Sequence, residues 1–146
     1  MTTTEGRLLA VTASEEETEA LGARLAAELA PDGVLLLSGD LGAGKTVLAR
    51  GLFAALGVPR EEVQSPTFTL VREHSGVGGV RLVHADLYRL EPEEAYGVGL
   101  EELLGGPGVK VVEWAERLPW VVRGEGVRRL VIRRTSGGRE VREVLE

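Results

Sequence analysis

Eight consecutive residues, Gly39 to Thr46, have the types and spacing that bind the phosphates of a nucleotide. They read Gly-Asp-Leu-Gly-Ala-Gly-Lys-Thr and match the pattern of glycine, four residues, glycine, lysine and then serine or threonine. Glycines allow turns that direct successive backbone N–H groups at one anion, and a following helix adds its positive N-terminus. The predicted phosphate-contacting residues are Gly39, Asp40, Leu41, Gly42, Ala43, Gly44, Lys45 and Thr46.

The last two residues of this loop are expected to have separate roles. Lys45 would reach the β and γ phosphates of a nucleoside triphosphate. Thr46 would place its hydroxyl on Mg²⁺, which bridges those phosphates. The alternative is a glycine-rich turn without a ligand, but the predicted strand before the loop and the predicted helix after it favour phosphate binding.

Two carboxylates follow apolar segments that are expected to be strands. Asp86 comes after Val80 to Ala85, and Glu113 comes after Val109 to Val112. Hydrolysis needs a carboxylate at the end of a neighbouring strand, either to hold the water shell of the metal or to orient the attacking water. For a single carboxylate beyond a strand end, a turn cap or a solvated charge is the default, but two of them beside a phosphate loop favour a functional role. Spacing does not decide which of the two would touch magnesium.

The polar segment Ser65 to Thr69 contains a proline and precedes a predicted strand. One interpretation is a switch loop that senses the γ-phosphate through a threonine hydroxyl. The other is a rigid turn. The neighbouring phosphate loop favours the switch only slightly.

Other side chains that could take part in catalysis or binding are interpreted as structural. His84 within a strand and His74 near a turn are expected to be satisfied core or surface residues. Trp114 and Trp120 are expected to fill a core or support a partner surface, which leaves the base pocket unassigned. The four arginines between positions 128 and 134 are interpreted as one solvated strand face.

Several predicted elements must position these residues. A capping box formed by Ser14 and Glu17 predicts the start of a first helix. Val34 to Leu37 is a continuous apolar segment, typical of a strand buried on both faces of a parallel sheet. Apolar residues after Lys45 recur at helical spacing and stop before Gly57, so the phosphate loop is expected between a strand and a helix.

Two hairpins complete the predicted sheet. Leu70 to His74 pairs with Val80 to Ala85, and Val127 to Arg134 pairs with Glu140 to Leu145, each across a turn. One or two short helices are expected between Glu91 and Leu104. The expected fold is α/β and similar to that of P-loop nucleoside triphosphatases, with a mixed, mostly parallel sheet, flanking helices and antiparallel hairpin strands, in one domain over residues 1–146.

The composition argues against several classes of function. The chain of 146 residues has no cysteine, which excludes disulfides, thiolate metal sites and cysteine nucleophiles. Its net charge of -6 argues against electrostatic binding of nucleic acid over a large surface. Met1 to Gly6 lacks the order of a signal peptide, and no apolar segment approaches the ~18 residues of a membrane span. A cytoplasmic protein without membrane contact is expected.

Four motifs together resemble one family, the small bacterial ATPases called TsaE or YjeE. They are Gly-Asp-Leu-Gly-Ala-Gly-Lys-Thr from Gly39, Ser-Pro-Thr-Phe-Thr-Leu-Val from Ser65, His-Ala-Asp-Leu-Tyr-Arg-Leu from His84 and Val-Glu-Trp from Val112, in the order of the family. Ala85 is a small departure, because a bulkier residue is common there in the family. The resemblance covers about Leu35 to Glu116.

The resemblance implies roles for individual residues. Lys45 resembles the family's phosphate-binding lysine, and Thr46 and Glu113 resemble its magnesium ligands. Asp86 resembles a further functional acid, and Thr67 lies in the segment that resembles the family's switch-like loop. These residues are therefore the expected catalytic set, with ATP and Mg²⁺ as ligands.

The resemblance also implies a biological setting. Members of the family work with a complex of TsaB and TsaD, which transfers a threonylcarbamoyl group to the adenosine beside the anticodon of tRNAs that read ANN codons. ATP hydrolysis by the isolated chain is expected to be slow, and contact with tRNA is expected to be indirect or secondary. The ends of the chain match the family only by pattern. Thr12 to Ser14, between a first predicted strand (Leu8 to Thr12) and the first helix, is the candidate contact for the adenine, with Thr12 as the named residue.

Two other functions are compatible with a phosphate loop. A small-molecule or nucleoside kinase shares this loop, but the chain leaves little room for both an acceptor pocket and an arginine-rich lid. A GTP-operated switch would read guanine with an Asn-Lys-x-Asp motif, and the chain contains no asparagine. Adenine is therefore the expected base, and a nucleotide-operated binding switch with little catalysis is the weaker alternative.

Overall fold

A computed structural model describes residues 6–40, 42, 44–64, 71–97 and 99–144 of the chain. The strands are β1 (Arg7–Thr12), β2 (Val34–Gly39), β3 (Val71–Ser75), β4 (Arg81–Asp86), β5 (Val109–Glu113), β6 (Val127–Thr135) and β7 (Gly138–Glu143). The α-helices are α1 (Glu15–Leu29), α2 (Lys45–Ala55) and α3 (Leu100–Gly105).

The strands form one sheet in the order β1-β7-β6-β2-β5-β4-β3. β2 is parallel to both β5 and β6, and β4 is parallel to β5. β3 and β4 form an antiparallel hairpin, as do β6 and β7, and β1 joins β7 antiparallel. The predicted α/β fold with a mixed, mostly parallel sheet and hairpin strands is confirmed. The predicted hairpin ends Leu70 and Leu145 lie outside the residues that the structure describes.

β2 lies in the middle of the sheet and is buried on both faces, as its apolar sequence predicts. Leu35 and Leu37 belong to the core cluster under α1 and α2. Val34 and Leu36 belong to a second cluster on the other face, which includes Leu100 of α3. The strand that leads into the phosphate loop is therefore held by packing from both sides.

The register of the parallel strands brings the predicted acids beside the phosphate loop. Glu113 of β5 pairs with Leu37 of β2 on one side and with Asp86 of β4 on the other. Carboxyl ends of parallel strands meet at one edge of a sheet, where ligands bind in open α/β folds. Both acids thus lie at the edge from which the loop emerges.

The start of α1 follows the predicted capping box. Ser14 Oγ accepts a hydrogen bond from Glu17 N at 3.2 Å, and Glu17 Oε1 accepts one from Ala13 N at 2.7 Å. The return bond reaches the residue before the N-cap, one residue earlier than in the standard capping box.

The region between β4 and β5 contains the short helices that its glycines predict. A 3₁₀ helix spans Pro92–Gly97, and α3 follows after Gly99, the N-cap of α3, whose φ is 75°.

Across the described part of the chain, no helix has the length and apolar character to cross a membrane.

α1 and α2 approach each other closely through two glycines. A β-carbon on Gly22 would lie 2.1 Å from the carbonyl oxygen of Leu48, and one on Gly51 would lie 2.0 Å from that of Glu19. These distances leave no room for a side chain at either position. The contact holds α2, and with it the phosphate loop, against the sheet.

We expect Gly51→Ala to destabilise the protein by about 1–3 kcal/mol, because the new methyl group would overlap the backbone of α1. Alanine is otherwise the better helix former by roughly 1 kcal/mol. The control is Gly105→Ala at the end of α3, where nothing described lies within 4 Å of the added atom. Urea unfolding measures both variants. Equal stability of the two would contradict close packing at Gly51.

Candidate functional site

The phosphate loop connects the end of β2 to the start of α2. Gly42 and Gly44 have φ of 73° and 110°, a region that glycine adopts without the strain of a side chain. Gly44 is the N-cap of α2, and Lys45 and Thr46 are its first residues. The predicted loop residues Leu41 and Ala43 lie outside the residues that the structure describes. The described part of the loop thus leads directly into a helix N-terminus.

The amine of Lys45 is held inside this loop. Its Nζ donates to the carbonyl oxygens of Gly39 at 3.1 Å and Asp40 at 2.7 Å. The same atom lies 4.1 Å from the centroid of the Trp114 ring, close enough for a cation–π contact. The side chain is therefore ordered beside the site where phosphates would bind.

The charge of Lys45 is set by two opposing effects. Burial lowers the pKa of the Lys45 amine below its ordinary value, because a buried ammonium ion loses its hydration. Nearby carboxylates favour the charged form and oppose this shift. In order of effect they are Glu116, Glu113, Asp40 and Asp86.

Glu113 is 2% exposed, and each of its carboxylate oxygens has a partner. Oε1 accepts a hydrogen bond from Thr46 Oγ1 at 2.8 Å. Oε2 lies 2.6 Å from His84 Nε2. This distance is that of a hydrogen bond between the imidazole and the carboxyl group. The two predicted magnesium ligands, Thr46 and Glu113, are therefore in direct contact.

His84 is completely buried in β4. Phe53 of α2 packs edge-on against its ring at 5.4 Å between centroids and also lies 5.9 Å from His74. Within the described part of the chain, His84 Nδ1 has no hydrogen-bond partner. His84 is therefore a core residue, as expected, and its Nε2 also contacts a carboxylate of the candidate site.

A cavity of about 330 Å³ lies beside the loop. Its lining includes Lys45, Thr46, Asp86, Glu113, Trp114 and Arg139. Asp86 Oδ1 accepts a hydrogen bond from Tyr88 N at 3.0 Å, and the Tyr88 and Trp114 rings are 4.9 Å apart. The cavity thus combines the Lys45 amine and the Arg139 guanidinium with three carboxylates, those of Glu15, Asp86 and Glu113.

The oxygen donors at this cavity fit magnesium. Thr46 Oγ1 and Glu113 Oε1 are 2.8 Å apart, and Asp86 is on the neighbouring strand. Mg²⁺ prefers oxygen ligands and usually takes only one or two carboxylates, with waters and substrate phosphates completing its shell. Among the described residues, no group of three or more histidines and acids could hold a metal alone.

Thr12 and Thr67 are the two remaining predicted site residues. Thr12 ends β1 and is buried, with its hydroxyl 2.7 Å from that of Thr18 in α1. Its side chain is therefore engaged between β1 and α1. Thr67, with the whole segment Ser65 to Thr69, lies outside the residues that the structure describes.

The four arginines between positions 128 and 134 are half-buried or exposed, as expected for a surface strand, but they have different partners. Arg128 is half-buried and donates to both oxygens of Glu143 at 2.8 Å. Arg129 donates to a backbone carbonyl in the segment before β6. Arg134 donates to the carbonyl oxygen of Gly42 at 3.2 Å. The alternation of strand side chains separates these residues into different environments.

Sequence reasoning missed three contributors to the site. His84 could have been identified, because it lies two residues before Asp86 and strand periodicity puts both side chains on one face. Trp114 was expected in a core and also contacts Lys45. Arg139 carries no local signal, because its place beside the loop depends on the strand order.

Comparisons with known proteins agree with one another. The family model described as "Threonylcarbamoyl adenosine biosynthesis protein TsaE" matches residues 12–143. Two relatives, one from a Nostoc species and one from Bacillus subtilis, carry the name "tRNA threonylcarbamoyladenosine biosynthesis protein TsaE". Each is 46% identical to this chain over 112 residues. The match covers 74% of this chain in both cases, 68% of the Nostoc protein and 69% of the Bacillus subtilis protein. The crystal structure of Bacillus subtilis YdiB is 34% identical, with a TM-score of 0.68 over 97% of this chain and 88% of that one.

We expect His84→Leu to reduce the free energy of unfolding by about 2–4 kcal/mol, because it leaves one oxygen of a buried carboxylate unpaired. His84→Gln should recover much of this loss, since its amide can donate at a similar reach. Urea unfolding at neutral pH measures both.

The matched control is His74→Leu, because His74 also packs on Phe53 and is only half-buried. A loss of stability in His84→Leu no larger than in His74→Leu, or no recovery in His84→Gln, would show that the contact with Glu113 contributes little.

Proposed function

This chain belongs to the TsaE family of threonylcarbamoyl adenosine biosynthesis proteins, and from that premise we propose that it is a magnesium-dependent ATPase subunit. Its ATP hydrolysis supports the formation of threonylcarbamoyladenosine in cytoplasmic tRNAs. The observation that carries the ATPase proposal is the contact between Thr46 Oγ1 and Glu113 Oε1 at the start of α2.

Binding of the nucleotide rests on the loop and on Lys45. The helix N-terminus and the loop N–H groups receive the phosphates. Lys45 exchanges its two hydrogen bonds to loop carbonyls for bonds to the β and γ phosphates. Those carbonyls belong to Gly39 and Asp40 at the start of the loop. The Lys45 amine can therefore move from these carbonyls to the phosphates without leaving the loop.

Thr46 and Glu113 hold the metal in this proposal. Held there, Mg²⁺ would supply positive charge that offsets the charge developing on the departing γ-phosphoryl group. His84 keeps Glu113 oriented by occupying the oxygen that faces away from Thr46. Asp86, on the neighbouring strand, orients a water at the edge of the cavity.

The partners in this proposal are TsaB and TsaD. The motifs that resemble the family support this assignment, and the names of the relatives tie those proteins to the same tRNA modification. The acidic net charge of -6 supports indirect rather than broad contact with tRNA.

We expect Lys45→Ala to weaken ATP binding by roughly 100-fold or more, because it removes a buried charge that contacts phosphate. Glu113→Ala should spare binding more than turnover, with turnover falling by roughly 100-fold, because it removes metal-dependent chemistry. Titration calorimetry and phosphate release measure the two effects, and Arg24→Ala on the exposed face of α1 is the control. Unchanged turnover in Glu113→Ala would remove Glu113 from the mechanism.

We further expect purified TsaB and TsaD to stimulate ATP turnover, and tRNA modification by the three proteins to depend on this chain. Phosphate release and the threonylcarbamoyladenosine content of tRNA are the readouts. The Lys45→Ala variant serves as the inactive control in both assays. If the partners do not stimulate ATP turnover and tRNA modification does not depend on this chain, the proposed role is contradicted, even if the isolated chain binds ATP.

A further inference from the structure

A second cavity, of about 550 Å³, lies on the face of the sheet that α1 and α2 do not cover. Leu130 and Ile132 of β6 belong to the core under these helices, so the side chain of Val131 between them faces the other way. Val131 pairs in register with Ser38 of β2, and both residues line the cavity. Among the described residues, none lines both this cavity and the one beside Lys45. The two cavities are therefore separate sites.

Much of the wall of this second cavity is apolar. The segment after β5 contributes four large side chains to it, those of Leu118, Trp120, Val121 and Val122. Val121 is 56% exposed, and Trp120 packs on Tyr96, which is 63% exposed, with 5.3 Å between the ring centroids. Exposed aromatic and apolar side chains around a cavity are typical of protein interfaces. The cavity has room for a large apolar side chain of another molecule.

Arginines are the charged residues on the strand side of this cavity. Arg129 and Arg133 of β6 line it. The residues of β7 that pair with Val131 and Arg133 lie on the same face, and they are Arg142 and Glu140. Within the described hairpin this face carries three arginines and one glutamate, although the whole chain has a net charge of -6. The face therefore attracts carboxylates on an otherwise acidic protein.

The guanidinium group of Arg133 is accessible to a partner. Arg129 donates to a backbone carbonyl, and Arg142 donates to Glu140 at 3.0 Å. Arg133 Nη1 lies 4.0 Å from Asp40 Oδ1, and the two side chains are 42% and 50% exposed. An exposed ion pair at this distance contributes little to stability. A carboxylate from another molecule can therefore replace Asp40 at Arg133.

The end of the cavity near the phosphate loop is acidic, and this decides between classes of partner. Asp40 and Glu116 line it there, and Glu116 Oε2 accepts a hydrogen bond from Gly39 N at 3.5 Å. These carboxylates would repel a phosphate backbone, and nucleic acids are bound through several cationic contacts rather than one. A protein segment needs only an apolar anchor for the cavity and one carboxylate for Arg133. The cavity therefore fits a protein better than a nucleic acid.

We propose that this cavity is a docking site for a segment of a partner protein, which inserts one large apolar side chain and places an aspartate or glutamate carboxylate on Arg133. The inference rests on the proposed function, in which the partner is the complex of TsaB and TsaD, and it adds the surface that this partner contacts. The apolar side chain packs against Val121 and Val131, which both line the cavity. The carboxylate takes the place of Asp40 beside Arg133.

Surface plasmon resonance with the purified TsaB–TsaD complex, in the presence of ATP and Mg²⁺, tests this docking site. Val121→Asp puts a charge into the apolar wall, and Arg133→Glu replaces the attraction of a carboxylate with repulsion. Each should weaken binding by about tenfold or more. The controls make the same changes at two exposed positions elsewhere, Val77→Asp in the turn between β3 and β4 and Arg24→Glu on α1, and should bind like the unmodified protein. Melting curves and ATP affinity show that each variant is folded.

The outcomes separate this inference from the proposed function. If Val121→Asp and Arg133→Glu bind as tightly as their controls, the docking site is overturned and the proposed function stands. If Val121→Asp does not fold, Arg133→Glu decides alone, because its side chain is exposed at the rim. No binding by the unmodified chain would reject the partner assignment and this site together.

Two other occupants are tested with the same variants. Light scattering would detect a dimer of this chain, and a dimer that Val121→Asp dissociates would assign the cavity to a second copy. Filter binding would detect tRNA, and tRNA binding that Arg133→Glu abolishes would assign the surface to nucleic acid. Either result would overturn the docking of a partner protein.

Discussion

Glu113 joins three neighbouring elements of the fold through its two carboxylate oxygens. One oxygen accepts from Thr46 on α2 and the other pairs with His84 on β4, while Glu113 itself ends β5. A carboxylate that is 2% exposed is costly unless both oxygens are paired. These two bonds therefore fix the first turn of α2 against two parallel strands, and the position of the phosphate loop depends on them.

The packing of the rest of the fold holds Glu113, Thr46 and His84 in place. β2 is buried on both faces and leads into the loop, and its register with β5 places Leu37 beside Glu113. The close contact of α1 and α2 at Gly22 and Gly51 holds the helix that carries Thr46. Sites built on packed strands and helices keep their geometry better than sites on loops. The two proposed metal ligands, Thr46 and Glu113, are thus held in fixed positions by the fold.

Features that depend on neighbouring residues were predictable from the sequence, and features that depend on strand order were not. The phosphate loop, the cap at Ser14 and both hairpins each follow from a few consecutive side chains and their backbone preferences. The pairing of His84 with Glu113 crosses two strands, so it requires the register of β4 on β5. Arg139 reaches the loop only because β7 and β6 lie beside β2. No local pattern carries that information.

The most direct test of the preorganised magnesium site is the affinity for ATP measured over a range of Mg²⁺ concentrations. In the unmodified protein the affinity should rise as Mg²⁺ is added. In Glu113→Gln the affinity without metal should be retained, while the gain from Mg²⁺ should fall by about tenfold or more, because one charged ligand is lost. The same gain from Mg²⁺ in both proteins would contradict a metal held by Glu113 and Thr46.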